Sequence, residues 1–247
     1  MGRLTETVKV LIIINIIFFI GTLALGDVAY RYFSLWFFEN EKFGFWQFVT
    51  HMFMHGGFMH ILFNMYALWA FGGPIEQMLG QKKFIFFYFS AGIGAAIIHT
   101  LSNYYHFQAG YDTLLNAGMD PYSIQQLLET GSYNTAILNS VSTDVLESFY
   151  ASYNSPAVGA SGAIYGILVA FGMLFPHVEL FLLFVPFPIK AKYFIPALIA
   201  IDLFSGVTGY SIFGGSIAHF AHVGGALFGF IMIWFWKKNR FNENRWD

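Results

Sequence analysis

Six apolar stretches, parted by polar or glycine-rich sequence, constrain this 247-residue chain more than any other feature. They run at about 8–25, 60–79, 84–102, 161–175, 193–207 and 216–236. Most are close to the roughly 20 residues that a helix needs to cross a bilayer. Composition agrees: hydrophobic residues are 57% and charged residues 11%, against roughly 45–50% and about 25% in soluble domains. The expected architecture is an all-α membrane protein, a bundle of six transmembrane helices. One membrane domain covers 1–247, with no internal repeat. The first stretch lacks a small-x-small cleavage site and is long for a signal-peptide core, so it is expected to stay as a helix.

Basic residues orient the bundle. Arg3 and Lys9, Lys82 and Lys83, Lys190 and Lys192, then Lys237, Lys238, Arg240 and Arg245 fall on one side when the chain crosses six times. By the positive-inside bias that side is cytoplasmic, and both termini share it. No Lys or Arg occurs between Phe84 and Ile189, while Asp112, Asp120, Glu129, Asp144 and Glu147 do. Residues 103–157 are therefore expected to form a long external loop between helices three and four. Asp120-Pro121 reads as an N-cap followed by proline at the first helical position, so part of that loop should be short helix. A net charge of -2 suggests no nucleic-acid partner. The absence of cysteine rules out a disulfide, a thiol nucleophile and a Cys-ligated zinc.

Parity then brings distant residues to one depth. Helices two, four and six all enter from the external side, and near their starts stand His60 and Asn64, Ser161, and His222. Polar side chains inside a membrane are costly and face a bundle interior or a wet cavity. The fourth stretch, about 15 residues, is only roughly 22 Å long as a helix, so its N-terminus should be recessed, with N–H groups needing partners. Gly162, Gly166 and Ala170, and Gly225 with Gly229, form small-residue ridges that allow close helix approach. His222 can then reach Ser161 as its base, while His60 and Asn64, one turn apart, donate to an oxyanion. A serine, a histidine and oxyanion donors make acyl transfer the expected chemistry. The blander alternative for Ser161 is a helix N-cap, which serine also favours.

"HGGFMHILFN" (55–64), "GASGAIYG" (159–166) and "AHVGGALFG" (221–229), in this order, resemble the HxxxN, GxSG and AHxGxxxG signatures of the rhomboid family of intramembrane serine proteases. The resemblance implies Ser161 as nucleophile, His222 as general base, and His60, Asn64 and the Ser161 backbone as the oxyanion hole. Gly159 and Tyr165 are supporting residues, Tyr165 stacking on the His222 imidazole. Glu76 corresponds to the family's structural acid at the far end of helix two. The implied catalytic unit is a dyad, with no cofactor and no metal. The implied partners are transmembrane protein substrates and membrane lipid, and the expected location is a bacterial inner membrane.

Four further residues have a defined expectation. His51 and His55 order the first loop, and His219 packs at the cavity rim. Asp202 is a packing acid near mid-membrane, below Ser161. Many family members carry Trp-Arg in the first loop, where this chain has Trp46-Gln47. That departure puts a loop salt bridge in question. A catalytically silent relative that binds membrane clients is the alternative function, and retention of both Ser161 and His222 favours the enzyme.

Overall fold

The structure is a computed structural model that describes residues 4–181, 187–210 and 218–243, with side chains to Lys238. Of the residues behind the expected orientation and span limits, Arg3, Ser216 and Arg245 lie outside the described residues. Helix α1 (Glu6–Leu25) ends where Gly26 takes φ +54. The first N–H groups of any helix have no partner within it. Here Glu76 supplies one: its carboxylate accepts from the N–H groups of Thr7 at 3.1 Å and Val8 at 3.0 Å, and from the Thr5 hydroxyl. A carboxylate at a helix N-terminus is also favoured by the helix dipole, so Glu76 pins α1 to the second helical region.

After α2 (Asp27–Phe33) and the short α3 (Gln47–Thr50), a 3₁₀ turn covers His51–Phe53. The chain is then helical without a break through α4 (Phe58–Ala67), a π turn (Leu68–Gly72) and α5 (Gly73–Leu79). Pro74 accounts for the π turn. It has no N–H for the carbonyl four residues back and its ring crowds that carbonyl, so the helix widens just before it.

Helix α6 (Gln81–Asn116) has 36 residues, about 54 Å at 1.5 Å per residue. Residues 103–116, expected to be loop, instead continue this helix. No positive-φ glycine interrupts it before Gly118, at φ +90. Phe107 and Leu114 on the extension are buried in a second core with Phe37, Ile124, Leu127, Leu146 and Phe149. Helices α7 (Pro121–Thr130) and α8 (Thr143–Asn154) supply the rest of that core. The Asp120 carboxylate accepts from the N–H groups of Tyr122 and Ser123 to cap α7, and Gly131 closes it at φ +72. Tertiary burial therefore turns most of the polar segment into helix.

The main core centres on α9 (Ser161–Leu174), where nine of the 14 residues are buried. A two-residue antiparallel pair, β1 (Glu179–Leu180) with β2 (Ile189–Lys190), leads into α10 (Ala191–Thr208), and α11 (His219–Glu243) closes the described chain. Helix α9 is wedged between α6 and α11. A Cβ at Gly162 would overlap Ala95 of α6, and one at Gly225 would overlap the Gly162 carbonyl. One at Gly229 would lie 2.7 Å from the Gly166 carbonyl oxygen. The small-residue faces thus let α9 and α11 touch backbone to backbone. Among the described residues, α1, α6, α10 and the His219–Lys238 part of α11 are long and apolar enough to cross a membrane. Helix α9 is apolar but shorter.

Candidate active site

The entry to α9 is shaped by one glycine. Gly159 has φ +128, a conformation that side chains rarely adopt, and donates its N–H to the His51 carbonyl at 2.9 Å. A Cβ there would lie 2.8 Å from Nε2 of His60 and 3.5 Å from Oγ of Ser161. Glycine at 159 therefore keeps open the space that the histidine and the serine share. The chain turns into the helix at Ala160, which is fully buried, and Ser161 is the first helical residue.

Ser161 Oγ lies 2.9 Å from Nε2 of His222 in the first turn of α11. The Tyr165 ring stacks on the imidazole, centroids 4.2 Å apart and planes 11° from parallel. The other imidazole nitrogen, Nδ1, is 3.1 Å from Oδ1 of Asp202. His219 brings its own Nδ1 to the same oxygen at 2.6 Å, and the Tyr165 hydroxyl donates to Oδ2. An ionised carboxylate only accepts, so both histidines carry their hydrogen on Nδ1. The lone pair of His222 Nε2 is thereby left facing the Ser161 hydroxyl, and the imidazole can take that proton as the oxygen becomes a nucleophile.

Asp202, expected to be a packing acid, instead bonds directly to His222 and to Tyr165, one turn into α9 from Ser161. Helix α10 starts at Ala191, two residues before the expected Tyr193, and Asp202 stands six residues before its end at Thr208. That is about 9 Å from the helix end, the same end of the bundle at which the short α9 begins. His219 likewise lies inside this cluster, 9% exposed, rather than at a rim. The signal in the sequence was the acid itself, since a carboxylate within an apolar helix is costly unless it is bonded.

His60 and Asn64 lie on α4, one turn apart and on one face. Nδ1 of His60 accepts the Gly56 N–H at 3.4 Å, which leaves Nε2 as the donor on the Gly159 side. Asn64 is 6% exposed and its Nδ2 has no hydrogen-bond partner among the described residues. A buried donor with no partner is costly, and it is the sort of group an incoming oxygen would satisfy. The His55 ring meets His60 edge-on at 5.0 Å, and burial first, then the nearby His60, pushes its pKa down to about 4. Burial likewise brings His51 down to about 4, its Nδ1–H donating to the Gln47 carbonyl at 2.8 Å.

Gln47 resolves the departure in the first loop. It is fully buried, accepts the Trp36 N–H at 3.2 Å and donates to the Lys42 carbonyl at 2.8 Å. Amide-to-backbone bonds hold the loop at this position. Among the described residues, no group of three or more His, Asp or Glu side chains is arranged to hold a metal ion.

The Rhomboid domain family model matches residues 42–139 and 123–239. The chain belongs to the rhomboid family. Its relatives include the mitochondrial presenilin-associated rhomboid-like protein of Mus musculus, 30% identical over 184 residues, and that of Bos taurus, 31% identical over 184 residues. Both matches cover 74% of this chain and 35% of the relative. The mitochondrial Rhomboid protein 1 of Saccharomyces cerevisiae is 28% identical over 186 residues, 75% of this chain and 40% of that protein. This chain therefore spans well under half the length of the rhomboids it matches. The comparison corrects the expected bacterial inner membrane: these rhomboids are mitochondrial proteins by name. Basic residues report which side a loop faces, not which membrane the chain occupies.

Proposed function

We propose that this rhomboid is an intramembrane serine endopeptidase that cleaves transmembrane-helix substrates. The observation that carries the reading is the 2.9 Å approach of Ser161 Oγ to His222 Nε2 at the start of a central, short helix. In the reaction, Ser161 Oγ bonds to the scissile carbonyl carbon as its proton passes to His222 Nε2. The carbonyl π pair moves onto the oxygen, and His60 Nε2–H, Asn64 Nδ2–H and the Ser161 backbone N–H receive that oxyanion. Collapse breaks the C–N bond, and His222 returns the proton to the departing amine. Water, deprotonated by the same imidazole, then releases the acyl group and restores Ser161. Gly159 keeps the oxyanion space clear, and Tyr165 fixes the plane of the imidazole by stacking. No cofactor or metal takes part.

In this reading the chain crosses the membrane six times as one domain, with Phe58–Leu79 as the second pass and α9 as the fourth. Both termini lie on one side and residues 103–157 on the other. The partners are membrane-embedded protein substrates and the surrounding lipid. The membrane is mitochondrial, in keeping with the relatives' names. Recovery of the tagged chain in another membrane on cell fractionation would overturn that location.

A serine-directed fluorophosphonate tests the chemistry on the detergent-solubilised chain. Wild type should label, while Ser161→Ala should not, although its thermal stability should change little, because Ser161 is the first helical residue and α9 has no side-chain cap hydrogen bond to lose. Residues of one catalytic unit lose activity non-additively, so against a peptide substrate Ser161→Ala with His222→Ala should be no worse than either alone. Labelling that persists in Ser161→Ala would reject the proposal.

A further inference from the structure

We propose that Asp202 is a positioning residue for His222, so that the catalytic unit is a Ser161–His222–Asp202 relay seated on three helices rather than a two-residue unit. The proposal rests on the reading of Ser161 as nucleophile and His222 as base, and adds a third member to it.

The first support is burial. Asp202 is 4% exposed within an apolar helix, where an unbonded carboxylate would be costly. Both its oxygens are engaged: Oδ2 by the Tyr165 hydroxyl, Oδ1 by Nδ1–H of His219 and of His222. The second is directionality. The carboxylate can only accept, so the hydrogen of neutral His222 is held on Nδ1. In the other tautomer, Nε2–H would point at the Ser161 hydroxyl and a lone pair at the carboxylate, and the imidazole could not take the serine proton. The third is charge. As Ser161 gives up its proton, an imidazolium forms beside an anion already in place, and the proton stays on His222 until it passes to the leaving nitrogen. Asp202 takes up no proton at any step.

His219 and Tyr165 fit the same scheme. Each spends its donor on Asp202, which fixes the carboxylate before substrate arrives. Tyr165 on α9 and Asp202 on α10 touch His222, His219 on its own helix shares the same carboxylate, and His60 on α4 and His99 on α6 lie near enough to sense its charge. Asp202 is the one carboxylate in that set.

The test is the pH profile of fluorophosphonate labelling of the full chain in detergent. Asp202→Asn preserves shape, but its amide can donate to His222 and favour the wrong tautomer. Its labelling rate should fall by about 10²–10⁴, and its acidic limb should move to lower pH, because the anion that supports the imidazolium is gone. Tyr165→Phe keeps the stacked ring and removes one donor from the carboxylate, which strengthens that anion. Its acidic limb should move the opposite way, to higher pH. A merely structural role would lower the amount of folded protein and leave both limbs in place. If Asp202→Asn does not fold, the Tyr165→Phe limb decides alone, an upward shift supporting the relay and an unmoved limb overturning it. Wild-type rate and limb in Asp202→Asn, with Ser161→Ala unlabelled, would overturn this proposal and spare the serine reading. Labelling in Ser161→Ala would remove both.

Discussion

The backbone contact between α9 and α11 makes Gly225→Ala an informative perturbation. The new Cβ would sit 2.7 Å from the Gly162 carbonyl carbon, where ordinary contact begins near 3.5 Å. The obstacle is main chain in a packed helix pair, so no side chain can swing aside. The two helices must part by more than the roughly 0.8 Å that the carbon alone requires, because the Gly162 carbonyl oxygen lies closer still. Gly225 is one turn from His222 on α11, and Gly162 adjoins Ser161 on α9. Carried to the site, the separation would lengthen the 2.9 Å Ser161–His222 contact past about 3.7 Å, beyond hydrogen-bond reach. Overpacking of this kind costs about 1–3 kcal/mol in stability, and a displacement near 1 Å can cost about 10²-fold in rate. Fluorophosphonate labelling, normalised to folded protein, reads the second effect apart from the first. Gly21→Ala on α1 is the control, because a Cβ there meets nothing within 4 Å. Wild-type labelling by folded Gly225→Ala would refute the argument that backbone approach sets the serine–histidine distance.

Two other expectations follow from the site. His60→Ala and Asn64→Ala should each lower peptide cleavage by about 10²–10³, as loss of one oxyanion donor does, yet leave measurable activity, and full activity in the double variant would reject both as donors. His51 and His55 are held neutral by burial down to about 4, so the unfolded chain binds more protons than the folded one below its ordinary value near 6.5. The stability that these rings contribute is present above about 6.5 and is lost as pH falls toward 4. Melting temperature in detergent should drop over that window, with a shallower slope in His51→Gln, and an unchanged slope would show that burial of this ring does not couple folding to pH.

Some of this protein was legible along the chain because it depends on local pattern. Apolar length announced α1, α6, α10 and α11, and the Asp120-Pro121 pair announced the start of α7, because hydropathy and capping act over a few residues. The three polar clusters could be brought to one end of the bundle by counting helices, and their spacing carried the likeness to rhomboids. What tertiary structure decided was lateral and axial placement. Residues 103–116 read as polar loop, yet they stay helical because Phe107 and Leu114 find a core made by α7, α8 and Phe37. The order of residues contains no statement of that packing. Asp202 read as a packing acid, and only the packing of three helices brings its carboxylate to His222. Gln47 read as a missing salt bridge, and its role emerged from backbone carbonyls and N–H groups that the fold gathers around it. Local forces set which segments become helices. Depth, register and the partner of each buried polar group depend on how helices far apart in the chain pack together.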